Sequence, residues 1–275
     1  MVPPVSCVND TMLSARTIFP FAFRRTLPTL PKYALIVLNS SATCGCLKRA
    51  VPKLWPDAAL RVCTDGAGNW LHSQQLIPDW ICGDLDSISR EARAYFEKSS
   101  VPLIFTVDQN ATDFTKCLQL LLESAAFSDS GGLPGIGLAS TYREAGIYVA
   151  GGLCSDRFDH VLAALNTLHL MKDRLNGIPL YIIHGSSLIT LLNAGSWTLR
   201  FDPFDGQLIR GIKCGLAPVG RPSLDVSTAG LRWNLRHDRM EFGGMVSTSN
   251  EIVADSVWVE TDVPLIWTME VGTLI

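Results

Sequence analysis

Six short, nearly unbroken apolar runs mark the first two-thirds of the chain: Tyr33–Leu38, Leu60–Cys63, Trp80–Cys82, Leu103–Val107, Gly146–Ala150 and Leu180–Ile183. Runs of this length, rich in Val, Ile and aromatic residues, predict strands buried on both faces. The segments between them carry helical spacing. Helices are predicted over Cys44–Leu54 (with Pro52 awkwardly near its end), Trp70–Gln75, Ser89–Lys98, Phe114–Ser124 and Phe158–Met171. Strands alternating with helices predict a parallel α/β sheet. Beyond Ser187 the texture changes. Short β-prone segments at Trp197–Phe201, Gln207–Ile212, Gly230–Leu235, Val257–Glu260 and Leu265–Met269 are separated by Gly, Pro, Asp and Asn, with no long helix among them. That pattern predicts an antiparallel β-domain of sandwich or barrel type.

The expected organisation is therefore an extension over residues 1–31, an α/β domain over 32–187 and an all-β domain, taken as a sandwich, over 188–275. The extension carries Arg16, Arg24 and Arg25 against a single acid, Asp10. It is read as a disordered tail, with an organelle-targeting segment as the alternative. Ser128–Ala139 is Gly- and Ser-rich and reads as a surface loop or insertion.

Composition narrows the class. Of 275 residues, 47% are hydrophobic and 18% charged, which suits a large core and excludes wholesale disorder. A net charge of −3 gives no electrostatic case for a nucleic-acid or anionic-membrane partner. No apolar run reaches the ~18–20 residues of a spanning helix. The eight cysteines include no CxxC pair and are read as reduced thiols in a cytoplasmic protein.

Candidate chemistry gathers where strands end, which is where ligands bind in open α/β sheets. Asp65 and Gly66 follow the second strand, and Asp84 and Asp86 the third. Asp108 and Asp113 follow the fourth; Gly151 and Gly152, then Arg157 and Asp159, follow the fifth. Each alone is explained as a helix cap or turn former. Together they fit a polyphosphate and its metal: carboxylates suit Mg²⁺, while glycine amides and an arginine suit phosphate oxygens. Neither GxxxxGK[ST] nor GxGxxG is present, nor is the GxSxG elbow of α/β-hydrolases. His160 is a candidate base or a structural residue at a helix start.

Several of these pieces stand in a recognisable order. Asp65-Gly66, then Gly83-Asp84-Leu85-Asp86-Ser87-Ile88, then Thr112-Asp113-Phe114-Thr115-Lys116 come first; Gly151-Gly152 with Arg157-Phe158-Asp159, Gly230–Leu235 and Ser247–Asn250 follow. From about Tyr33 to Met269 this series resembles the thiamine pyrophosphokinase family. Where that family has Asp-Gly-Gly-Ala-Asn, this chain reads Asp65-Gly66-Ala67-Gly68-Asn69.

The resemblance implies a homodimeric, ATP- and Mg²⁺-dependent enzyme that moves the β,γ-pyrophosphate of ATP onto thiamine. It implies an α/β nucleotide-binding domain followed by a β-domain that helps bind the vitamin. Carried over by motif, Asp84, Asp86 and Asp113 are the metal carboxylates and, with Arg157, the catalytic set. Asp65, Gly66, Gln109, Thr112, Gly151 and Gly152 join Arg157 at the nucleotide. Asp159, Trp233, Ser249 and Asn250 face thiamine. Two alternatives remain: a related pyrophosphokinase acting on another alcohol such as a pterin, and a non-catalytic nucleotide- or thiamine-binding module. By residue chemistry alone, Trp233 reads as a core tryptophan of a β-strand.

Overall fold

A computed structural model describes residues 15–22, 33–40, 45–108, 110–123, 145–152, 157–201 and 209–272. The chain forms two compact units, one of residues 22–190 with 271–275, the other of residues 1–21 with 191–270.

The first unit is the expected α/β domain. Its strands are β2 (Ala34–Val37), β3 (Leu60–Thr64), β4 (Trp80–Gly83), β5 (Leu103–Phe105), β6 (Ile147–Ala150) and β7 (Leu180–His184), all parallel, in the order β7-β6-β2-β3-β4-β5. Strands β2, β4 and β6 are buried at every position, as continuous apolar runs require. The hairpin strand β8 (Ser187–Leu192) pairs antiparallel with β7. The connecting helices are α1 (Cys46–Leu54), α2 (Asp65–Ser73), α3 (Arg90–Lys98), α4 (Asp113–Glu123) and α5 (Phe158–Met171).

Helix α2 starts earlier than expected. The Gly-bearing stretch after β3 is helical from Asp65 onward, because Gly66 and Gly68 let the helix lie against Asn39 and Ile88. Ala67, where the family has glycine, is an ordinary buried helical residue. Helix α3 is capped by Ser89, whose Oγ accepts from the Ala92 amide at 3.1 Å.

Just before β2, the buried Tyr33 hydroxyl donates to the Leu54 carbonyl at 2.5 Å, tying the end of α1 to the sheet. Burial pushes this phenol well above its ordinary value, so it acts only as a neutral donor. Tyr33→Phe is expected to lower stability by ~1 kcal/mol in a denaturant titration, without a change in turnover.

The second unit is all β. One sheet runs β1 (Arg16–Ile18), β9 (Gly195–Arg200), β14 (Ser256–Thr261), β11 (Ser223–Ala229), β12 (Asp238–Met240); a second set runs β13 (Ser247–Glu251), β10 (Lys213–Ala217), β15 (Leu265–Glu270). Pairing is antiparallel except between β1 and β9. Strand β1 lies inside the segment expected to be a disordered tail; it pairs Arg16–Ile18 with Trp197–Leu199, and Ile18 is buried. The Gly230–Leu235 strand does not form. The segment keeps one antiparallel bridge, Leu231 with Ile252, and the Asn234 side chain accepts from the Leu231 amide at 3.0 Å, a local bond that curls the rest of it into a loop.

Five cysteines (Cys46, Cys63, Cys82, Cys117 and Cys214) are free and buried. Burial pushes the thiols of Cys63 and Cys117 far up, and that of Cys214 to about 12, which leaves them unreactive. Among the described residues no helix is long and apolar enough to cross a membrane. Ser128–Ala139 and Gln109 lie outside the described residues.

Candidate active site

The order of the parallel sheet reverses at β2. The chain proceeds from β2 through β3, β4 and β5 to one side, and β6 and β7 lie on the other. At the carboxyl ends of such neighbouring strands the following loops diverge and leave a crevice. A cleft of about 530 Å³ occupies this position, lined among others by Asn39 and Ser40 after β2, Asp84 after β4, Asp113 and Lys116 of α4, and Gly152 after β6.

Gly83 makes the centre of this edge possible. Its φ is +155°, and a Cβ there would lie 2.5 Å from the Asp65 side-chain carbon. The missing side chain is the space into which the Asp65 carboxylate fits. Asp65 is buried, with Oδ1 accepting from the Gly66 amide at 2.7 Å and Oδ2 from the Ser87 amide at 3.4 Å. Asp84 accepts from the Asp86 amide at 3.3 Å, and Asp86 from the Ser87 hydroxyl at 2.8 Å. One oxygen each of Asp65, Asp84 and Asp86 lies within 4.8 Å of the others.

Three carboxylates this close repel one another unless a cation joins them. Burial pushes the Asp65 carboxyl above the usual range; the Asp113 and Asp84 charges add to this, against the two amide bonds. All-oxygen donors of full negative charge fit a hard divalent cation such as Mg²⁺. Asp84 and Asp86, expected from sequence to act with Asp113, are gathered with Asp65 as well, and the Asp113 charge acts on that same carboxyl. Asp113 is paired with Lys116, Nζ to Oδ1 at 2.9 Å. Burial works against this ammonium, but the hydrogen bond to Asp113 and the charges of Asp113, Asp84 and Asp65 outweigh it and raise its pKa.

On the opposite wall, Gly151 and Gly152 have φ of +91° and +72°. A Cβ on the first would strike the Leu38 carbonyl oxygen, and on the second the Leu38 side chain. The Gly152 amide donates to the Asn39 carbonyl at 3.1 Å, joining the two loops of the crevice. Thr112 also lines the cleft, and its Oγ accepts from the Thr115 amide at 3.2 Å at the start of α4. His160 borders the cleft from α5. Arg157 and Asp159 form an exposed bidentate pair at 3.1 and 2.5 Å, which raises the arginine and lowers the carboxyl. Neither borders the cleft among the described residues.

Trp233 and Asn250 come together in the second unit. Trp233 is 55% exposed and lies in the loop after β11, so it is no core residue. Its ring carries the Arg232 guanidinium 5.0 Å from the centroid. Glu251 holds that arginine at 3.3 Å and Lys213 at 2.8 Å. Ser249 is exposed with φ +57°. Asn250 turns inward. Its Oδ1 accepts from the Trp233 amide at 3.2 Å, and its Nδ2 donates to the Trp233 carbonyl at 2.8 Å. It positions the Trp233 loop and has no free amide for a ligand.

Comparison with known proteins matches both units. The family profile "Thiamin pyrophosphokinase, catalytic domain" covers residues 51–182, and "Thiamin pyrophosphokinase, vitamin B1 binding domain" covers residues 205–266. The chain belongs to the thiamin pyrophosphokinase family. It is 32% identical to Thiamine pyrophosphokinase 2 of Oryza sativa subsp. japonica over 88% of each chain. It is also 32% identical to Thiamine pyrophosphokinase 1 of Arabidopsis thaliana, over 87% of this chain and 86% of that one. The solved thiamin pyrophosphokinase from Candida albicans superposes with a TM-score of 0.74 at 25% identity, covering 98% of this chain and 95% of that one. As a thiamin pyrophosphokinase-family chain, it carries the Asp65, Asp84 and Asp86 cluster inside the catalytic match and Trp233 with Asn250 inside the vitamin-binding match.

The sequence alone assigns no role to Lys116, since a lysine on a helix ordinarily points to water. Asn39 and Ser40 signal only the stop of a strand; their place beside β6 follows from the sheet order alone.

Proposed function

We propose that the protein transfers the β,γ-pyrophosphate of ATP to the hydroxyl of thiamine, giving thiamine diphosphate and AMP. The carboxylate cluster of Asp65, Asp84 and Asp86 at the edge of the switch-point cleft carries this reading. Transfer of this kind needs in-line positioning and neutralised charge more than covalent help from the protein. Asp65, Asp84 and Asp86 would hold Mg²⁺, which when bound offsets the negative charge of the polyphosphate. Asp113 stands at the polyphosphate with Lys116. Gly66, Gly151 and Gly152 let the strand-end segments pack closely beside the nucleotide site, Thr112 flanks the transferring group, and Arg157 with Asp159 serves the substrates.

Thiamine's thiazolium is a permanent cation, and an exposed aromatic face attracts such a group by ~0.5–2 kcal/mol. With Arg232 on one face of Trp233, the other face is the one offered to the vitamin. Asn250 fixes the ring through the backbone, so Asn250→Asp is expected to raise the KM for thiamine ~10-fold while kcat changes little. The variant keeps the acceptor but loses the donor to the Trp233 carbonyl and sets a charge beside Glu251. A thiamine KM within twofold of the parent would contradict this role. Assembly as a homodimer in the cytoplasm belongs to the same reading; sedimentation equilibrium at twice the chain mass is expected.

Substrate choice is tested by offering thiamine and a hydroxymethylpterin separately, each with ATP and Mg²⁺. A diphosphate of thiamine alone is expected. Preference for the pterin would reassign the acceptor, and binding of both substrates without any product would make the protein a binding module.

A further inference from the structure

Lys116 stands out among the groups at the cleft. Its side chain is only 7% exposed, yet it borders the cleft from the second turn of α4, a helix packed on β3 and β4. Among the described residues lining the cleft it is the one permanent cation. An ammonium has three N–H donors. Asp113 takes one, and among the described residues no second acceptor is bonded to it. A buried ammonium with unfilled donors is costly, and such a group is retained where an incoming acceptor completes it. The side chain that holds it, Asp113, is half-exposed at the first turn of the same helix.

We infer that Lys116 is a catalytic residue whose ammonium, aimed by Asp113, donates to the polyphosphate oxygens of the nucleotide. This deepens the reading above and rests on it. In the transfer, the bond between the β-phosphorus and the oxygen bridging to the α-phosphate breaks, and that oxygen leaves with AMP and the electron pair. The thiamine oxygen bonds to the β-phosphorus, and its hydroxyl proton passes to water. Lys116 keeps its proton throughout; its positive charge opposes the negative charge that grows on the leaving side and on the transferring oxygens. Asp113 is then a positioning residue, acting through Lys116.

The test compares the parent with Lys116→Met and Lys116→Arg. Binding of the unreactive α,β-methylene analogue of ATP with Mg²⁺ is measured without thiamine, and kcat is measured with ATP and thiamine. Lys116→Met is expected to bind the analogue ~10-fold more weakly and to lose ~10²–10³ in kcat, as on removal of one charge-stabilising donor. Lys116→Arg is expected to recover at least ~10-fold of that kcat. A folded Lys116→Met protein with unchanged analogue binding and kcat within threefold of the parent overturns the inference.

If Lys116→Met fails to fold because Asp113 is left unpaired, the pair Asp113→Asn with Lys116→Met is compared with Asp113→Asn alone. A further fall of ~10-fold or more in analogue affinity supports the contact, and equal affinity overturns it. Lys116-dependent analogue binding in a protein that forms no thiamine diphosphate overturns the reaction and keeps the contact, so the two failures are distinguishable.

Discussion

Asp86→Asn is expected to lower turnover by at least ~10²-fold while the metal-free protein melts within a few degrees of the parent. The side chain is exposed and its one described hydrogen bond comes from the adjacent Ser87 hydroxyl, so little folding energy depends on it. Its oxygen is nevertheless one of three gathered within 4.8 Å. Asparagine keeps the shape and removes the charge that a divalent cation requires from this donor set. Binding linkage gives a second readout. Anything that binds the folded state raises its stability by RT ln(1 + [L]/Kd), so Mg²⁺ raises the melting temperature of the parent. The same concentration series should move Asp86→Asn much less. Near-parental turnover across a magnesium titration would remove Asp86 from the site.

Gly83→Ala is expected to damage both fold and activity. The backbone there has φ +155°, a region that side chains rarely adopt, and strain of this kind costs about 1–3 kcal/mol. The new methyl would also lie 2.5 Å from the Asp65 side-chain carbon. Asp65 has no room to retreat without giving up its bonds from the Gly66 and Ser87 amides. Turnover should therefore fall by ~10-fold or more beyond what partial unfolding explains, since misplacing a catalytic group by an ångström costs up to ~10². Gly68→Ala is the control. It lies inside α2, where alanine favours the helix, and its Cβ would meet the flexible Ile88 Cδ1 at 3.3 Å. A stability change within ~1 kcal/mol and unaltered turnover are expected for it.

The α/β unit was legible because strands buried on both faces must be written as continuous apolar runs; β2, β4 and β6 are of this kind. A carboxylate-bearing edge was legible, because Asp65 and Asp84 follow directly on β3 and β4. What could not be read was which carboxylates meet. Asp113 shares a family run with Lys116, and only the helix places that lysine at i+3 as its ion-pair partner. Asp65 reaches Asp84 and Asp86 only through the gap left by Gly83, a tertiary fit between two strands. In the β unit, single short strands carry weak local signals. The Gly230–Leu235 segment has strand-like composition, but side-chain bonds from Asn234 and Asn250 to its backbone shape it into the loop that presents Trp233. That loop also explains why Trp233 is exposed rather than part of the core.

The account is tested most directly by following ³¹P resonances while the purified protein turns over ATP and thiamine with Mg²⁺. AMP and thiamine diphosphate should rise together in a one-to-one ratio, stop when a chelator is added, and stay at background with Asp84→Asn or Asp86→Asn. Appearance of ADP with thiamine monophosphate, or one-to-one product from the Asp84→Asn protein at the parental rate, would contradict it.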